Sequence, residues 1–98
     1  MYDAVMYIRV ASVTLDPSRL DEAVAYVREV GLPGMRESPG VHNVYLGVER
    51  ATGRATVVST WDTLDHANFV VAPDFMARMQ ELGMQGERPV IYEVTDQF

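Results

Sequence analysis

The chain has 98 residues and no cysteine. Thiol catalysis, disulfide bonds and cysteine-ligated metal sites are therefore excluded. Histidine is also scarce, because His42 and His66 are the only two, so an all-histidine metal site would need copies from another subunit. The lack of cysteine fits a cytoplasmic protein, which is the location we predict.

Positive charge is in short supply. Eight basic residues stand against 14 acidic ones, giving a formal net charge of −6. An acidic chain without a basic cluster binds phosphate backbones and anionic membrane surfaces poorly, so we expect no nucleic acid and no membrane partner. No apolar run approaches the roughly 18 residues needed to cross a bilayer. The start, Met1-Tyr2-Asp3, lacks the positive region of a signal peptide.

Two nearly matched halves, each predicted as strand, helix and strand, fill the chain. The predicted strands are Ala4–Leu15, Val41–Glu49, Ala55–Trp61 and Pro89–Thr95, with helices opened by Asp16-Pro17-Ser18 and by Asp62-Thr63. This order is the split βαβ, or ferredoxin-like (βαββαβ), arrangement. We therefore expect one α+β domain over residues 1–98, with a four-stranded antiparallel sheet and both helices on one face.

Local signals set the predicted boundaries. Asp16 is a natural N-cap and Pro17 suits the first helical position, while Gly31 predicts the end of the first helix. Pro73 should interrupt the second helix, because its ring clashes with the preceding turn. The predicted pieces of that helix are Leu64–Val71 and Pro73–Leu82. Gly47 predicts a β-bulge in the second strand.

The first strand is apolar on both faces. One alternating set contains Val5, Tyr7 and Val13, and the other contains Met6, Ile8 and Val10. A strand of this kind is buried on both faces. Since two helices cover only one face of the sheet, a second subunit is the simplest cover for the other. The sequence thus predicts a homodimer.

Three segments together resemble a known group of proteins: Ser38-Pro39-Gly40-Val41, Val58-Ser59-Thr60-Trp61-Asp62 and Ala72-Pro73-Asp74-Phe75. They are similar to the dimeric α+β barrel superfamily, and within it to the antibiotic biosynthesis monooxygenase-like family. The resemblance implies two sheets that pair face to face, and in each subunit a pocket between its own sheet and helices. It covers cofactor-free oxygenases, haem-degrading enzymes, isomerases and proteins of unknown role, so it does not fix a reaction.

The chain departs from several patterns of that family. Haem-degrading members carry an asparagine on the first strand and an iron-ligating histidine on the second helix, where this chain has Arg9 and Arg78. Many relatives have a histidine four residues before the helix proline, and here Phe69 stands there. Some oxygenases have an asparagine four residues before the strand tryptophan, and here it is Val57. Axial iron ligation is not expected, and we predict neither cofactor nor metal.

Arg9 and His66 are the candidate catalytic residues. Arg9 lies mid-strand among apolar residues and must be paired, either with an anionic or phenolate oxygen of a ligand or with an acid such as Glu49 or Glu93. His66 lies in the first turn of a helix, which favours a neutral imidazole able to accept a phenolic proton. The alternative for His66, which we favour, is a solvent-exposed position without a catalytic role.

The candidate substrate-binding residues are Trp61, Tyr7, Asn43, His42 and Phe69. Trp61 could stack on a flat aromatic ligand, although a core position under the second helix is favoured. His42 and Asn43 open the second strand, either at a pocket mouth or simply at the surface. Tyr7 shares the strand face of Arg9.

Together these features predict a cofactor-independent monooxygenase that acts on a hydrophobic phenolic or polycyclic molecule. A pocket base (His66, or a tyrosine such as Tyr7 or Tyr92) would take a proton, Arg9 and Asn43 would hold the anion, and the anion would react with oxygen directly. One alternative is a non-catalytic ligand-binding or structural dimer. Another is an isomerase or cyclase on similar ring compounds, which would consume no oxygen.

Overall fold

The computed structural model describes residues 6–98. The predicted start of the first strand, Ala4 and Val5, lies outside these residues. The strands are β1 (Tyr7–Thr14), β2 (Val41–Glu49), β3 (Arg54–Trp61), β4 (Gln85–Gly86) and β5 (Val90–Glu93). The α-helices are α1 (Leu20–Tyr26), α2 (Leu32–Arg36), α3 (Leu64–Ala67) and α4 (Pro73–Glu81). Within residues 6–98, no helix has the length and apolar character needed to span a membrane.

The strands form one antiparallel sheet in the order β2-β3-β1, with β4 and β5 both pairing with the outer side of β1. The predicted ferredoxin-like α+β fold is confirmed. The predicted fourth strand, Pro89–Thr95, corresponds to β5, and the additional short strand β4 pairs with β1 on the same edge. β4 was missed because it has only two residues, Gln85 and Gly86, too few for an alternating pattern to show.

The first helical region begins as predicted but does not end at Gly31. The Asp16 carboxylate accepts a hydrogen bond from the Ser18 backbone N–H, and Pro17 begins a single 3₁₀ turn before α1. After α1 the chain forms a π-helical turn, Val27–Gly31, and continues into α2. Gly31 keeps right-handed helical angles and packs against the Phe75 ring, which a Cβ would approach to 2.8 Å. Its small size serves helix packing, and the prediction of a stop was wrong.

Two other local predictions need correction. The irregularity in β2 lies between Val41 and Asn43 rather than at Gly47, which stays in regular register with Thr56. The first piece of the second helix ends at Ala67 instead of Val71, and α4 begins at Pro73 as predicted. Residues 68–72 between them form neither helix nor strand, and Ala72 is extended because the residue before a proline avoids helical angles.

The two faces of the sheet differ in what covers them. On the helix-facing side, Arg9, Leu46, Val57 and Trp61 point towards a core built with α1, α4 and the π-helical turn. The opposite side, called here the open face, carries the alternate residues of each strand. It includes Ile8, Val10, Tyr45, Val58, Val90 and Tyr92, with Tyr45 63% exposed and Tyr92 53% exposed.

Candidate functional site

A cavity of about 480 Å³ lies between the sheet and the helices, a size usual for small-molecule sites. Its floor is the helix-facing side of β1 and β3, and its walls come from α1, the π-helical turn, α2 and α4. Arg9 and Glu87 are the titratable residues that the described part of the chain, residues 6–98, contributes to the lining. Most of the wall is aliphatic, with two phenylalanines and four methionines, namely Phe69, Phe75, Met35, Met76, Met79 and Met84. Methionine suits such a wall because its flexible side chain adapts to irregular shapes.

Arg9 brings a positive charge into this apolar space. It lies mid-way along β1, opposite Ser59 on one side and Ile91 on the other, and its side chain is 5% exposed. Strand alternation puts it on the helix-facing side, together with Ala11 and Val13. Burial lowers the pKa of Arg9, because the charged form loses its hydration. The sequence left open which sheet face carries Arg9, and the structure places it in the cavity.

Phe69 is the main protein partner of Arg9. Its backbone carbonyl accepts a hydrogen bond of 3.4 Å from an Arg9 guanidinium nitrogen, and its ring lies 5.8 Å from the guanidinium carbon. Among residues 6–98, no carboxylate forms an ion pair with Arg9, so the suggested pairing with Glu49 or Glu93 is absent. Phe69 and Arg9 are the two sequence-predicted site residues that the structure brings together on the cavity wall.

Trp61 lies in the core and is fully buried. Its indole N–H donates a 2.8 Å hydrogen bond to the Ser59 hydroxyl, and its ring packs at 5.9 Å from the Phe69 ring. Trp61 does not line the cavity, but its ring packs against that of Phe69, which does. Tyr7 packs in the same cluster and is also absent from the cavity lining.

His66 belongs to a polar cluster away from the cavity. Its Nδ1 lies 2.7 Å from the Asp62 carboxylate, and the Thr63 hydroxyl caps α3 by accepting the His66 backbone N–H. The hydrogen bond between the His66 ring and the Asp62 carboxylate lowers the pKa of Asp62. Gly40, at φ +82°, permits the contact, because a Cβ there would overlap both Asp62 and His66. The imidazole is oriented by a carboxylate, yet it does not reach the cavity lining.

His42 and Asn43 line a second, smaller cleft together with Arg36 and Leu32. Asn43 is held at the end of β2 by hydrogen bonds to the Thr60 hydroxyl from its backbone N–H and its side-chain amide. Neither residue shares the cavity of Arg9. The predicted site is therefore divided among a cavity, a supporting core and two surface clusters.

Sequence reasoning missed Glu87 and the π-helical turn. Glu87 stands at the exposed rim of the cavity, where its backbone N–H bonds to the Ser12 carbonyl and its carboxylate lies 3.7 Å from Arg54. No motif marks it, because its position depends on the short β4 strand. Val27 and Gly31 of the π-helical turn also line the cavity, and such turns are frequent at functional sites. Within the described part of the chain, no group of histidines and carboxylates is placed to hold a metal ion.

Comparisons with known sequences give distant relatives. No family model matches the chain. An uncharacterized protein of Mycobacterium tuberculosis is 34% identical over 62 residues, which are 63% of this chain and 26% of the relative. A second one is 29% identical over 91 residues, which are 91% of this chain and 40% of the relative. The chain thus spans between a quarter and two fifths of the curated relatives it matches.

Solved structures match the whole fold. A proposed antibiotic biosynthesis monooxygenase from Bordetella bronchiseptica is 25% identical with a TM-score of 0.66, covering 95% of this chain and 98% of that one. One from Deinococcus radiodurans has a TM-score of 0.76 at 11% identity, covering 94% and 95%. One from Nitrosomonas europaea has a TM-score of 0.69 at 12% identity, covering 97% and 95%. The chain has the α+β fold of the antibiotic biosynthesis monooxygenase-like proteins in the dimeric α+β barrel superfamily.

Proposed function

We propose that this protein is a cofactor-independent monooxygenase whose cavity binds a hydrophobic phenolic or polycyclic molecule. The observation that carries the proposal is the buried Arg9 guanidinium on the wall of a large apolar cavity. An apolar ring system would be desolvated by the aliphatic, methionine and phenylalanine walls. A phenolate or enolate oxygen of that ring would lie at Arg9, where the positive charge stabilises it.

The proposed reaction needs no protein-bound redox group. Arg9 lowers the pKa of a bound phenol or enol, so that the substrate loses a proton and becomes an electron-rich anion. The anion transfers electrons to molecular oxygen. A ring CH₂ group becomes C=O, with one oxygen atom kept in the product and the other leaving as water. The protein contributes orientation, charge stabilisation and exclusion of bulk water.

The identity of the proton acceptor is part of the proposal. His66, oriented by Asp62, is the predicted base, with Tyr7 and Tyr92 as the tyrosine candidates. Tyr92 lies on the open face, and neither His66 nor Tyr7 lines the cavity. Glu87 at the cavity rim is a fourth candidate, in contact with solvent. Variants at these positions in the oxygen assay separate the candidates.

Oxygen consumption tests the monooxygenase. With an anthrone as substrate, the purified protein should raise oxygen uptake above the uncatalysed rate, and Arg9→Gln should lower the enzymatic rate about a hundredfold, the usual cost of removing a donor to an oxyanion. Arg28→Gln is the matched control, because Arg28 is exposed and outside the cavity lining. Uptake equal in Arg9→Gln and wild type would rule out the role of Arg9.

A non-catalytic binding protein is the second candidate. The observation that favours it is the shortage of proton acceptors in the cavity lining. Of residues 6–98, Glu87 is the one carboxylate in this lining, and it stands at the exposed rim. In that case the same cavity would sequester its ligand without turnover. Saturable binding of an anthrone or anthraquinone with no oxygen uptake would select this function.

The active form in this proposal is a homodimer that pairs the open faces of two sheets. Tyr45, Val58, Val10 and Val90 are register partners and form an apolar row across four strands, with Tyr45 and Val90 strongly exposed. An unpaired apolar surface of this kind marks an interface. One mycobacterial relative supports the arrangement. The 91 residues it matches are 40% of its length, so it is more than twice as long as this chain and has room for two such units.

A charge in the centre of the apolar row should prevent dimerisation. Val58→Lys places an ammonium group where the second sheet would bury it, and we expect sedimentation velocity to show a monomer in place of a dimer. Val70→Lys makes the same substitution at an 84% exposed valine outside the sheet and should leave the dimer intact. A wild-type protein that sediments as a monomer would contradict the pairing. Circular dichroism confirms that each variant is folded.

A further inference from the structure

The donors of Arg9 are largely unused. A guanidinium has five N–H donors in a planar fork. Among residues 6–98 one of these donors is occupied, through the 3.4 Å hydrogen bond to the Phe69 carbonyl. No buried side-chain nitrogen or oxygen among residues 6–98 lacks a partner. The remaining guanidinium nitrogens therefore keep accessible surface, and the accessible space next to Arg9 is the cavity it lines. The fork is thus available to a ligand.

The chemistry of the fork selects the kind of anion. A single phenolate oxygen satisfies the fork poorly, whereas the two oxygens of a carboxylate match two parallel N–H groups. A dianion such as a phosphate monoester is disfavoured, because the rest of the wall next to Arg9 is apolar and would leave the second charge unpaired. Among residues 6–98, Arg9 is the only cationic residue of the lining, so one negative charge is all that these residues neutralise.

The cavity also limits the rest of the ligand. Its floor follows β1 from Arg9 through Ala11 to Val13, which is roughly 13 Å of strand. Met84 and Gly86 line the far end, and the walls along this path are aliphatic side chains, methionine and phenylalanine. A body of about two or three fused aromatic rings would fit along this length.

We propose that the ligand of this cavity is an apolar monocarboxylate, with its carboxylate on the Arg9 guanidinium under the Phe69 ring and its ring system along β1 towards Met84. The inference rests on the proposed function in one respect, that the cavity is the substrate site, and it narrows the substrate class to hydrophobic aromatic acids. In this narrower class of substrate the carboxylate takes the position at Arg9 that the proposed function gives to a phenolate or enolate oxygen. It orients the substrate for oxidation of the ring beyond it.

The test compares ligands that share a ring and differ in charge. Binding of 2-naphthoate, the neutral isostere 2-naphthamide and 2-naphthol is measured by calorimetry at pH 7 with the full chain. We expect naphthoate to bind about ten- to a hundredfold more tightly than the other two, the usual advantage of a charge-assisted hydrogen-bonded pair. Equal or weaker binding of naphthoate would overturn the proposal, as would a failure of all three ligands to bind the folded protein.

Two variants locate the effect. Arg9→Gln should reduce the ratio between naphthoate and naphthamide to near one, and Arg28→Gln, which makes the same change at an exposed position, should retain it. A preference that survives in Arg9→Gln would place the anion elsewhere and overturn the proposal. If Arg9→Gln does not fold, the preference of the wild-type protein for naphthoate over naphthamide still tests whether the cavity binds a carboxylate. Oxygen uptake is measured separately. A preference for the carboxylate without oxygen uptake would contradict the proposed monooxygenase activity and would support the carboxylate site.

Discussion

Replacing Trp61 by alanine should lower the free energy of unfolding by about 3–5 kcal/mol, the usual cost of truncating a buried large aromatic residue. Trp61 is fully buried at the end of β3, and its ring packs against Phe69. The truncation leaves a void between the sheet and α3 and removes the donor to the buried Ser59 hydroxyl. Urea unfolding followed by circular dichroism measures the change.

The matched control is Trp61→Phe. Phenylalanine keeps most of the ring packing but cannot donate to Ser59, so the expected loss is about 1–3 kcal/mol. The comparison separates packing from hydrogen bonding. A loss below about 1 kcal/mol for Trp61→Ala would contradict the buried position. Because the Phe69 ring packs against the Trp61 ring, we also expect Trp61→Ala to weaken ligand binding in the cavity, whereas Trp61→Phe should preserve binding.

Gly53→Ala should lower the free energy of unfolding by about 3–4 kcal/mol, because backbone strain and steric overlap both oppose a side chain at this position. Gly53 ends the loop between β2 and β3 at φ +78°, a conformation that side chains disfavour. Its carbonyl accepts a 2.9 Å hydrogen bond from the Leu15 N–H. A Cβ at this position would overlap the Leu15 carbonyl oxygen, which belongs to the backbone and cannot move aside.

Gly83→Ala provides the control for the dihedral angle alone. Gly83 has φ +86°, close to that of Gly53, but a Cβ there would meet no atom within 4 Å. The expected cost is about 1–2 kcal/mol, from the left-handed conformation. The difference between the two variants in chemical denaturation measures the overlap with Leu15. Equal losses would show that the loop shifts away from Leu15 without cost.

The order of elements was predictable because its signals are local. Strand alternation, the Asp16 and Pro17 helix start, and Pro73 at the beginning of α4 depend on residues close in sequence. The ferredoxin-like fold follows from that order, and the search of solved structures confirms it. The prediction at Gly31 failed because the reason for glycine there is the ring of Phe75, a tertiary contact that no local signal records.

The site was only partly predictable. The sequence showed that an arginine among apolar strand residues needs a partner, and it named Arg9 and Phe69 separately. Their contact spans 60 positions of the chain, and it exists because the non-helical segment between α3 and α4 brings Phe69 over β1. The structure does not bring His66 to Arg9, because His66 lies with Asp62 and Gly40 in a separate cluster, and its catalytic role stays a prediction.

The sequence by itself determined the fold, the apolar character of both sheet faces and the presence of one charged residue within the first strand. Each of these depends on side-chain type and spacing, which the chain states directly. Only the tertiary structure decided which face carries Arg9, that no carboxylate of residues 6–98 pairs with it, and that a cavity opens beside it. Those facts depend on how the sheet packs against its helices, and a shift of one residue in the register of β1 would turn Arg9 to the open face.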